Sequence, residues 1–417
     1  MSEPLYVHYQ QQLVGMLSQT AARTMQFAYD DEWLRSANRF PISCSLPLDG
    51  TFTDSHSQHF FANLLPEGNV REQICKSLKI SADNDFELLK AIGGDCAGAL
   101  TITGTRSSDL QERPPRYEPV TEEQLASWSL GTPNAFAAVT GQSDIRLSLA
   151  GAQDKLPVYM EGTQIMIPLG NAPSTHILKF ASPHYSHLPE NETFITLLAK
   201  EVGLPVVDVR LRKTAKSTIT VIARYDRRWD AGQWMRLHQE DFCQALGIDA
   251  SRKYEKEGGP SHKQCADLIR QHATFPLVDL QKFLRWSLFN LLVGNADAHG
   301  KNLSLLYDAS GTPSLAPFYD LVCTRNYKNL SREMAMSVGG AWNPDVVNAK
   351  QLSALADDLG VRSNIVIERA KELADRVAIS LPLVMDGYRK QYGDSPVLKR
   401  LPGIVRKQVR RVSSQLK

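Results

Sequence analysis

The stretch that most constrains the fold is an apolar segment followed by a short polar one. Residues 283–293 (FLRWSLFNLLV) are apolar on nearly every side and contain neither Gly nor Pro, which predicts a buried helix that stops at the next glycine. The polar octet NADAHGKN follows at 295–302 and is therefore predicted to be a loop held by a rigid helix. Two short apolar runs, 303–307 and 315–319, flank the turn-like DASGTP and predict a hairpin that returns the chain beside the loop and delivers Asp320.

The spacing inside the octet is typical of phosphoryl transfer. Asp297 lies five residues before Asn302, the interval of the D-x-x-x-x-N loop of protein kinases, in which the Asp accepts the substrate proton and the Asn binds Mg²⁺. Asp320 falls where a second metal-binding carboxylate would be, and Mg²⁺ needs few protein ligands besides the phosphates of ATP. Lys301 could stabilise charge on the transferring group. An Asp in a turn more often serves as a cap, but the combination of helix, loop, hairpin and second Asp favours a phosphotransferase.

Composition limits the other possibilities. A chain of 417 residues is expected to form two or three structural units, and its 42% hydrophobic and 22% charged residues are those of a soluble globular protein. A net charge of +2 implies no global affinity for polyanions. The six cysteines form no C-x-x-C pair, which argues against a zinc site or a disulfide scaffold. With no signal segment and no apolar run of membrane-spanning length in the sequence, the expectation is a cytoplasmic protein without a membrane partner.

The predicted organisation has four parts, which are an N-terminal α+β unit (1–104), a linker (105–119), a strand-rich unit (120–225) and a mainly helical unit (226–417). In the first part, strand candidates at 5–8, 42–48 and 99–102 flank helical patterns at 60–65 and 86–92. The glycine-rich stretch 93–99 lacks both G-x-G-x-x-G and the Walker Lys-Ser/Thr pair, so we interpret it as a tight turn into a strand.

The strand-rich part carries features that a nucleotide needs. Residues 146–155 have small residues in the middle and precede strands predicted at 156–160 and 164–168. The backbone N–H groups of such a loop can approach phosphate oxygens, and Lys155 could add a positive charge. Residues 175–180 alternate like a strand and place Lys179 on one face, the placement of the V-A-I-K lysine in kinases. A lone Lys in a strand is ordinarily a solvated or edge residue, and that alternative stays open.

A helix is predicted after this strand, with Asn191 as its cap. Glu192 in the first turn is either a partner for Lys179 or is explained by the helix dipole. After strands predicted at 206–211 and 218–223, the residues Ala223, Arg224 and Tyr225 could offer backbone groups and an aromatic ring to an adenine. Residues 238–241 (HQED) are predicted to head a helix, and their acidity is explained equally by N-terminal capping or by an active-site role.

The sequence resembles the HipA family of serine/threonine-protein kinase toxins from bacterial type II toxin–antitoxin systems. The motifs SLPL (45–48), FFANLLPE (60–67) and Gly98-Ala99 are similar to the N-terminal subdomain of that family. The resemblance extends to its kinase portion at four further places, which are 148–155, 238–245, 295–302 and 319–320. Several long motifs in the right order make the resemblance specific over nearly the whole chain.

The resemblance implies an α+β, two-lobed protein-kinase-like fold with an additional N-terminal α+β subdomain and a mostly helical C-terminal lobe. It implies ATP and Mg²⁺ as cosubstrates, Asp297 as general base, and Asn302 and Asp320 as metal ligands. The implied nucleotide contacts are Ala150, Gly151, Ala152, Gln153, Asp154, Lys155, Lys179, Ala223, Arg224, Tyr225, His299, Gly300, Lys301 and Asn302. It also implies a small helix-turn-helix antitoxin as partner, an aminoacyl-tRNA synthetase as the protein substrate, and contact with operator DNA only through the antitoxin.

Two positions bear on this resemblance. Ala223 stands where the family often has an acidic residue, a change that is harmless if the adenine is bound by backbone groups. Ser148 resembles the autophosphorylated serine of the family, and a phosphoserine would add roughly −1.5 to −2 charges to the proposed phosphate loop. We therefore expect ATP and phosphorylated Ser148 to exclude each other. Without the resemblance, Ser148 is equally well interpreted as a residue that bonds its own turn.

The C-terminal stretch is strongly basic. Residues 389–417 contain nine Lys or Arg and one acid, Asp394, in a helical pattern with breaks predicted near Pro396 and Pro402. The default interpretation is a solvated basic helix docked by its valines. Its alternative is non-specific contact with phosphates when the protein is carried on a DNA-bound antitoxin.

Three function classes remain from the sequence. The leading one is a protein kinase that acts on a Ser or Thr, the second is a pseudokinase-like binding module, and the third is a small-molecule kinase. The presence of Asp297, Asn302 and Asp320 together disfavours the second.

Overall fold

The computed structural model describes residues 3–106, 114–130, 135, 139, 145–148, 150 and 154–416. The chain forms two compact units, each assembled from three stretches. Unit 1 consists of Met1–Pro183, Arg212–Ala250 and Leu306–Pro313, and unit 2 consists of His184–Leu211, Ser251–Leu305 and Ser314–Lys417. The two units are defined by the contacts within each of them. The four-part division made from the sequence remains a prediction.

In chain order the strands are β1 (Leu5–Tyr9), β2 (Gln12–Gln19), β3 (Met25–Tyr29), β4 (Leu100–Thr103), β5 (Arg116–Pro119), β6 (Lys155–Glu161), β7 (Gln164–Leu169), β8 (His176–Lys179), β9 (Val209–Lys213), β10 (Thr218–Ala223), β11 (Arg227–Asp230), β12 (Gln233–Arg236), β13 (Gln239–Asp241), β14 (Ser304–Tyr307) and β15 (Pro313–Leu315). The helices among the described residues are α1 (Asp31–Arg35), α2 (Asp54–Ala62), α3 (Gly68–Leu78), α4 (Asp85–Ile92), α5 (Glu122–Trp128), α6 (Leu188–Glu201), α7 (Phe242–Ala245), α8 (His262–His272), α9 (Pro276–Val293), α10 (Ala349–Asp358), α11 (Ser363–Tyr392) and α12 (Pro396–Gln415).

Unit 1 contains two larger antiparallel sheets and the two-stranded sheet β11-β12. The first has the order β3-β2-β1-β4, and the alternating burial of β1 sends Leu5 and Val7 into the core. The second has the order β5-β7-β6-β8-β10, completed at the edge by β9, whose last two residues belong to this unit. The strands predicted around 156–160, 164–168, 175–180 and 218–223 are confirmed as β6, β7, β8 and β10.

Unit 2 is mainly helical. Its centre is α9, an 18-residue helix in which twelve residues are buried, so the prediction of a buried helix before the octet is confirmed. The short hairpin β14-β15 follows the octet, and the backbone N–H of Leu315 in β15 donates to the buried carboxylate of Asp279 in the first turn of α9 (2.9 Å). The return strand of the hairpin ends at Leu315, whereas the apolar pattern had predicted it over 315–319.

Several local predictions were wrong. Residues 42–48 form an isolated bridge between Ser43 and Leu46 and no strand, because the segment turns tightly there. The strands β2 and β3 were not predicted. Strand β5 lies inside the stretch predicted as a linker, and its exposed edge position explains why its sequence is polar. Pro402 lies within α12 and breaks nothing, whereas Pro396 begins that helix.

The acidic turn at 238–241 also differs from its prediction. Gln239–Asp241 is strand β13, and only Asp241 serves the helix that follows, accepting from the N–H of Gln244 (2.9 Å) in a capping box. Capping is therefore confirmed for Asp241. Glu240 points into the core instead.

The basic C-terminal helix packs as its default interpretation predicted. Val405, Val409 and Val412 are buried along one face of α12, and Arg406 and Arg410 are exposed. None of the helices formed by the described residues combines the length and the apolar character that crossing a bilayer requires.

Candidate active site

The polar octet begins where α9 ends. Gly294 has φ +72°, a left-handed conformation that terminates the helix, and its N–H donates to the carbonyl of Asn290. A Cβ atom at this position would lie 2.8 Å from Cδ of Arg325. Glycine is required here by both backbone conformation and space, so the chain leaves the helix at a fixed point.

A set of polar contacts then fixes the loop itself. The Asn295 side chain accepts from the N–H of Asp297 (3.1 Å) and donates to Oδ1 of Asn290 (2.9 Å). The N–H of Ala296 donates to Oγ1 of Thr324 (2.8 Å). These contacts hold the backbone on both sides of Asp297, whose own side chain is exposed. A carboxylate at the tip of a rigid loop is well placed to meet a substrate.

The side chain of Asn302 is bonded to the backbone of Asp297, a contact that the sequence analysis did not predict. Its Nδ2 donates to the backbone carbonyl of Asp297 (2.8 Å), which also accepts from the N–H of His299 (3.0 Å). A 3-10 turn at Gly300–Asn302 brings this about. Because the amide nitrogen is used within the loop, the amide oxygen of Asn302 is the atom left to bind a cation.

The chain that follows β15 returns to the loop. The hydroxyl of Tyr319 donates to the carbonyl of Lys301 (2.8 Å) and lies 2.7 Å from Oγ of Ser304. Asp320 comes next, with φ +55°, which is uncommon for any residue other than glycine. Such strained conformations cluster at functional sites. The structure therefore joins Asn302 to the backbone of Asp297 and ties Tyr319, the residue before Asp320, to the same loop.

Helix α6 fixes the chain beyond Asp320. It begins at Leu188, so Asn191 lies inside it and does not cap it as predicted. Asn191 is instead fully buried, and its amide pairs with both backbone groups of Cys323, accepting from the N–H (3.0 Å) and donating to the carbonyl (3.1 Å). Glu192 is buried as well. It belongs to unit 2 and Lys179 to unit 1, so their pairing remains a prediction.

The donor set fits a magnesium ion. One amide oxygen and one carboxylate are hard ligands of the kind that Mg²⁺ takes together with waters and phosphate oxygens. No group of three or more His, Cys, Asp or Glu side chains within the described part of the chain is arranged to hold a metal. Asn302 and Asp320 would hold the ion, which would supply charge neutralisation to bound phosphates.

Unit 1 holds the predicted nucleotide residues of the strand-rich part. Lys155 and Lys179 are direct cross-strand neighbours in the register of β6 and β8, and Lys179 is buried. Asp154 precedes β6, where its carbonyl accepts from the N–H of Phe180 (3.3 Å). Ala150 is half-buried, and Gly151, Ala152 and Gln153 lie outside the described residues.

The predicted adenine segment begins at the end of β10. The Arg224 side chain turns inward, donating to both oxygens of Asp226 (2.9 and 2.7 Å), so only backbone atoms of this residue can meet a nucleotide. Ala223 is half-buried, and the hydroxyl of Tyr225 bonds Gln239. The same buried network includes Asp95 from the glycine-rich stretch, and the N–H of Gly98 donates to Asp226 (2.8 Å).

Gly98 explains why that stretch is glycine-rich. Its φ is +80°, and a Cβ atom there would lie 2.9 Å from the backbone N of Gln239. The stretch leads into β4, so the predicted tight turn into a strand is confirmed.

Ser148 is completely buried in unit 1. Its hydroxyl donates to the carbonyl of Leu64 (2.7 Å), and its N–H donates to the carbonyl of Asp95 (3.1 Å). The alternative interpretation predicted that the Ser148 hydroxyl bonds its own turn. In this conformation it bonds a distant segment instead.

One residue of the predicted acidic turn, Glu240, is a buried carboxylate. Glu240 accepts from the hydroxyl of Ser43 (2.5 Å), the N–H of Cys44 (3.0 Å) and the hydroxyl of Tyr307 (2.5 Å). Burial raises the pKa of Glu240 to about 7, although these three donors favour the ionised form.

This pKa predicts a pH-dependent stability that Glu240→Gln removes. The folded pKa lies above the usual 4.5, so the contribution of Glu240 is fully present below pH 4.5 and is lost as the pH rises through 7. We expect the unfolding free energy of the wild type, relative to Glu240→Gln, to fall by on the order of 3 kcal/mol between pH 4.5 and 8. Urea unfolding followed by tryptophan fluorescence measures it.

Taking the difference between the two proteins cancels other titrations, such as that of His238, whose pKa burial lowers to about 4. A difference that is constant from pH 4.5 to 8 would show that Glu240 does not titrate in this range.

Sequence reasoning missed one residue at the site. The hydroxyl of Tyr254 donates to Oδ1 of Asp297 (2.6 Å). Tyr254 lies 43 residues before Asp297 in the sequence. No local pattern signals such a contact.

Comparison with known proteins identifies relatives along the whole chain. Two family models match, the HipA N-terminal domain over residues 5–103 and the HipA-like C-terminal domain over residues 147–381. The chain is 38% identical to the protein Y4mE of Sinorhizobium fredii, over 94% of both chains. It is 35% identical to the serine/threonine-protein kinase toxin HipA of Shewanella oneidensis, over 89% of this chain and 87% of that one.

A solved structure agrees with these relatives. The HipA of Shewanella oneidensis, determined with HipB and operator DNA, superposes with a TM-score of 0.86 at 31% identity, covering 99% of this chain and 98% of that chain. The fold and the loop therefore define an α+β protein of the kinase-like class. The chain belongs to the HipA family, as both domain models and the extent of the identity show.

Proposed function

We propose that this protein is an ATP- and Mg²⁺-dependent serine/threonine-protein kinase toxin. The observation that carries the proposal is the geometry of the octet, in which an exposed carboxylate, Asp297, shares a rigid loop with the amide of Asn302. The neighbouring Asp320 adds a second acidic group at the end of the returning chain. Kinases use this set of groups to position a hydroxyl and a metal-bound phosphate.

Asp297 would accept the proton of a Ser or Thr hydroxyl while that oxygen bonds the γ-phosphorus of ATP. The bond from the γ-phosphorus to the bridging oxygen of ADP breaks in the same transfer. Lys301, a buried residue of the loop, and the backbone of His299 and Gly300 would face the phosphates. Asn302 and Asp320 would hold the cation that neutralises their charge.

A second set of proposed nucleotide contacts lies in unit 1. Because residues paired across β6 and β8 share one face of the sheet, we propose Lys155 and Lys179 together as contacts of the triphosphate. We also propose the loop residues Ala150 to Asp154 as phosphate contacts, and the backbone of 223–225 as the adenine contact.

The partners follow from the family. A relative from Shewanella oneidensis was solved with HipB and operator DNA, which supports a HipB-like helix-turn-helix antitoxin as partner of this chain. Contact with operator DNA would then be indirect. We propose an aminoacyl-tRNA synthetase as the phosphorylated protein, with arrest of translation and persistence as the consequence.

Labelled ATP tests the class of reaction. Purified protein is incubated with γ-³²P-ATP, Mg²⁺ and bacterial extract, and the expected result is label in a discrete protein band that is absent without the enzyme. Label confined to a soluble metabolite would favour the small-molecule kinase, and no transfer at all would favour the pseudokinase-like module.

Autophosphorylation at Ser148 is a further part of the proposal. Since the Ser148 hydroxyl is buried and bonded to Leu64, its segment must leave this position before transfer, and a phosphate there cannot return to the same pocket. We expect intact-mass analysis after incubation with ATP and Mg²⁺ to show one added phosphate on the wild type and none on Ser148→Ala. An equal yield on both proteins would place the modification elsewhere.

A further inference from the structure

We propose that Tyr254 is a positioning residue for the carboxylate of Asp297. This inference rests on the proposed function, in which Asp297 is the general base. The hydroxyl of Tyr254 donates to Oδ1 of Asp297 at 2.6 Å, and this bond fixes the rotation of the carboxylate. The proton of the acceptor hydroxyl would then go to the second oxygen, Oδ2.

The segment that carries Tyr254 is itself attached to the octet. The N–H of Glu255 donates to the carbonyl of Ala335 (3.0 Å), and the N–H of Ala335 donates to the carbonyl of Ala296 (2.9 Å). Ala296 is the residue before Asp297. Tyr254 and Asp297 are therefore joined twice, once through their side chains and once through this backbone path.

Side chains reinforce the same path. The carboxylate of Glu255 accepts from the N–H of Ser337 (2.6 Å) and from its hydroxyl (3.2 Å). Lys256 forms an ion pair with Glu333 (2.5 Å), and its ammonium lies 4.8 Å from the ring centroid of Trp342. The residues on both sides of Ala335 are thus held against the segment that begins at Tyr254.

The ring of Tyr254 is also fixed. It meets the ring of His299 edge to face, with centroids 5.3 Å apart and planes at 89°. The ammonium of Lys253 also lies 5.9 Å from the centroid of the Tyr254 ring. A ring held in this way gives its hydroxyl a fixed direction, which is what a positioning group needs.

The chemistry of the bond explains why a phenol suits this place. A phenol donates one hydrogen bond to the carboxylate and carries no charge at neutral pH, so it orients the base without forming an ion pair with it. Loss of the hydroxyl leaves the carboxylate free to rotate. The effect should fall on the rate of the chemical step and not on nucleotide binding, because Tyr254 contacts the base.

The test is a mutant cycle with γ-³²P-ATP, Mg²⁺ and bacterial extract, measured at several ATP concentrations with the signal without enzyme subtracted. Tyr254→Phe keeps the ring and removes the hydroxyl. We expect kcat to fall roughly 10- to 100-fold with the KM for ATP unchanged within twofold. In the background of Asp297→Asn, measured with enzyme in excess, the same change should cost less than about twofold, since the group it positions is already lost.

Tyr392→Phe on α11 serves as the matched control, because it removes a phenol hydroxyl outside the loop and the hairpin. A kcat of Tyr254→Phe within twofold of the wild type, or a loss that is as large in the Asp297→Asn background, overturns the inference. If Asp297→Asn itself transfers phosphate at the wild-type rate, the proposed function of Asp297 fails. The two failures are therefore distinguishable.

Discussion

Asp297→Asn is expected to lower the rate of phosphoryl transfer by about 100- to 10,000-fold, the range that general-base catalysis contributes. An amide has nearly the same size as the carboxylate but cannot accept the proton of the acceptor hydroxyl. Because Asp297 is exposed, the fold should keep its stability within about 0.5 kcal/mol. The rate is measured as transfer of ³²P from ATP to protein in extract, and the stability by thermal unfolding.

The matched control is Asp208→Asn. Asp208 is also an exposed acid of unit 2, with 76% of its side chain accessible, and it pairs only at the surface with Lys200 (2.6 Å). The Asp208→Asn protein should transfer phosphate at the wild-type rate. An Asp297→Asn protein that is folded and retains a third or more of wild-type activity would contradict the assignment of the base. If the assignment holds, phosphoproteomics with wild type against Asp297→Asn identifies the target.

Asp95→Asn is expected to destabilise unit 1 by about 3 to 5 kcal/mol, as breaking a buried ion pair does. Asp95 is fully buried and accepts from Arg227 (2.7 Å) and from the hydroxyl of Ser174 (2.6 Å). Burial alone would raise its pKa, but the surrounding arginines hold the pKa of Asp95 at about 2, so the carboxylate is charged at any working pH. Its removal leaves buried guanidinium groups with too little negative charge. Urea unfolding at pH 7 measures the loss.

Glu122→Gln provides the comparison. Glu122 also pairs with an arginine, Arg212, but 72% of its side chain is exposed, so its loss should cost less than about 1 kcal/mol. Equal losses in the two variants would mean that the buried network contributes no more than a surface pair.

Predictions that depend on neighbouring residues were confirmed more often than predictions that depend on contacts between residues far apart in the sequence. The helix before the octet was predicted because eleven consecutive residues without Gly or Pro suffice for it, and α9 contains them. Asn191 was misplaced because any Asn before an apolar stripe resembles a cap, whereas its actual partner, Cys323, lies 132 residues away. Residues 238–241 were misassigned for a similar reason, since a buried Glu240 and a capping Asp241 look alike in sequence.

The contacts at the candidate site and in the buried core also differ in how far apart their residues lie in the sequence. The spacing of Asp297 and Asn302 requires only one loop, and the bond from Asn302 to the Asp297 carbonyl spans five residues. Tyr254 reaches Asp297 across 43 residues, and the Ser43 hydroxyl reaches Glu240 across 197. No periodic pattern in the sequence indicates either contact.

The sequence by itself determined the buried helix, the polar octet, the approximate hairpin and the catalytic spacing, because short-range periodicity and turn chemistry specify such elements locally. Only the tertiary structure decided that Asp95 joins the glycine-rich turn to the arginines after β10, that Ser148 is buried against Leu64, and that Tyr254 holds Asp297. These contacts depend on which distant segments pack together, and packing is selected by the total burial and hydrogen bonding of each whole unit.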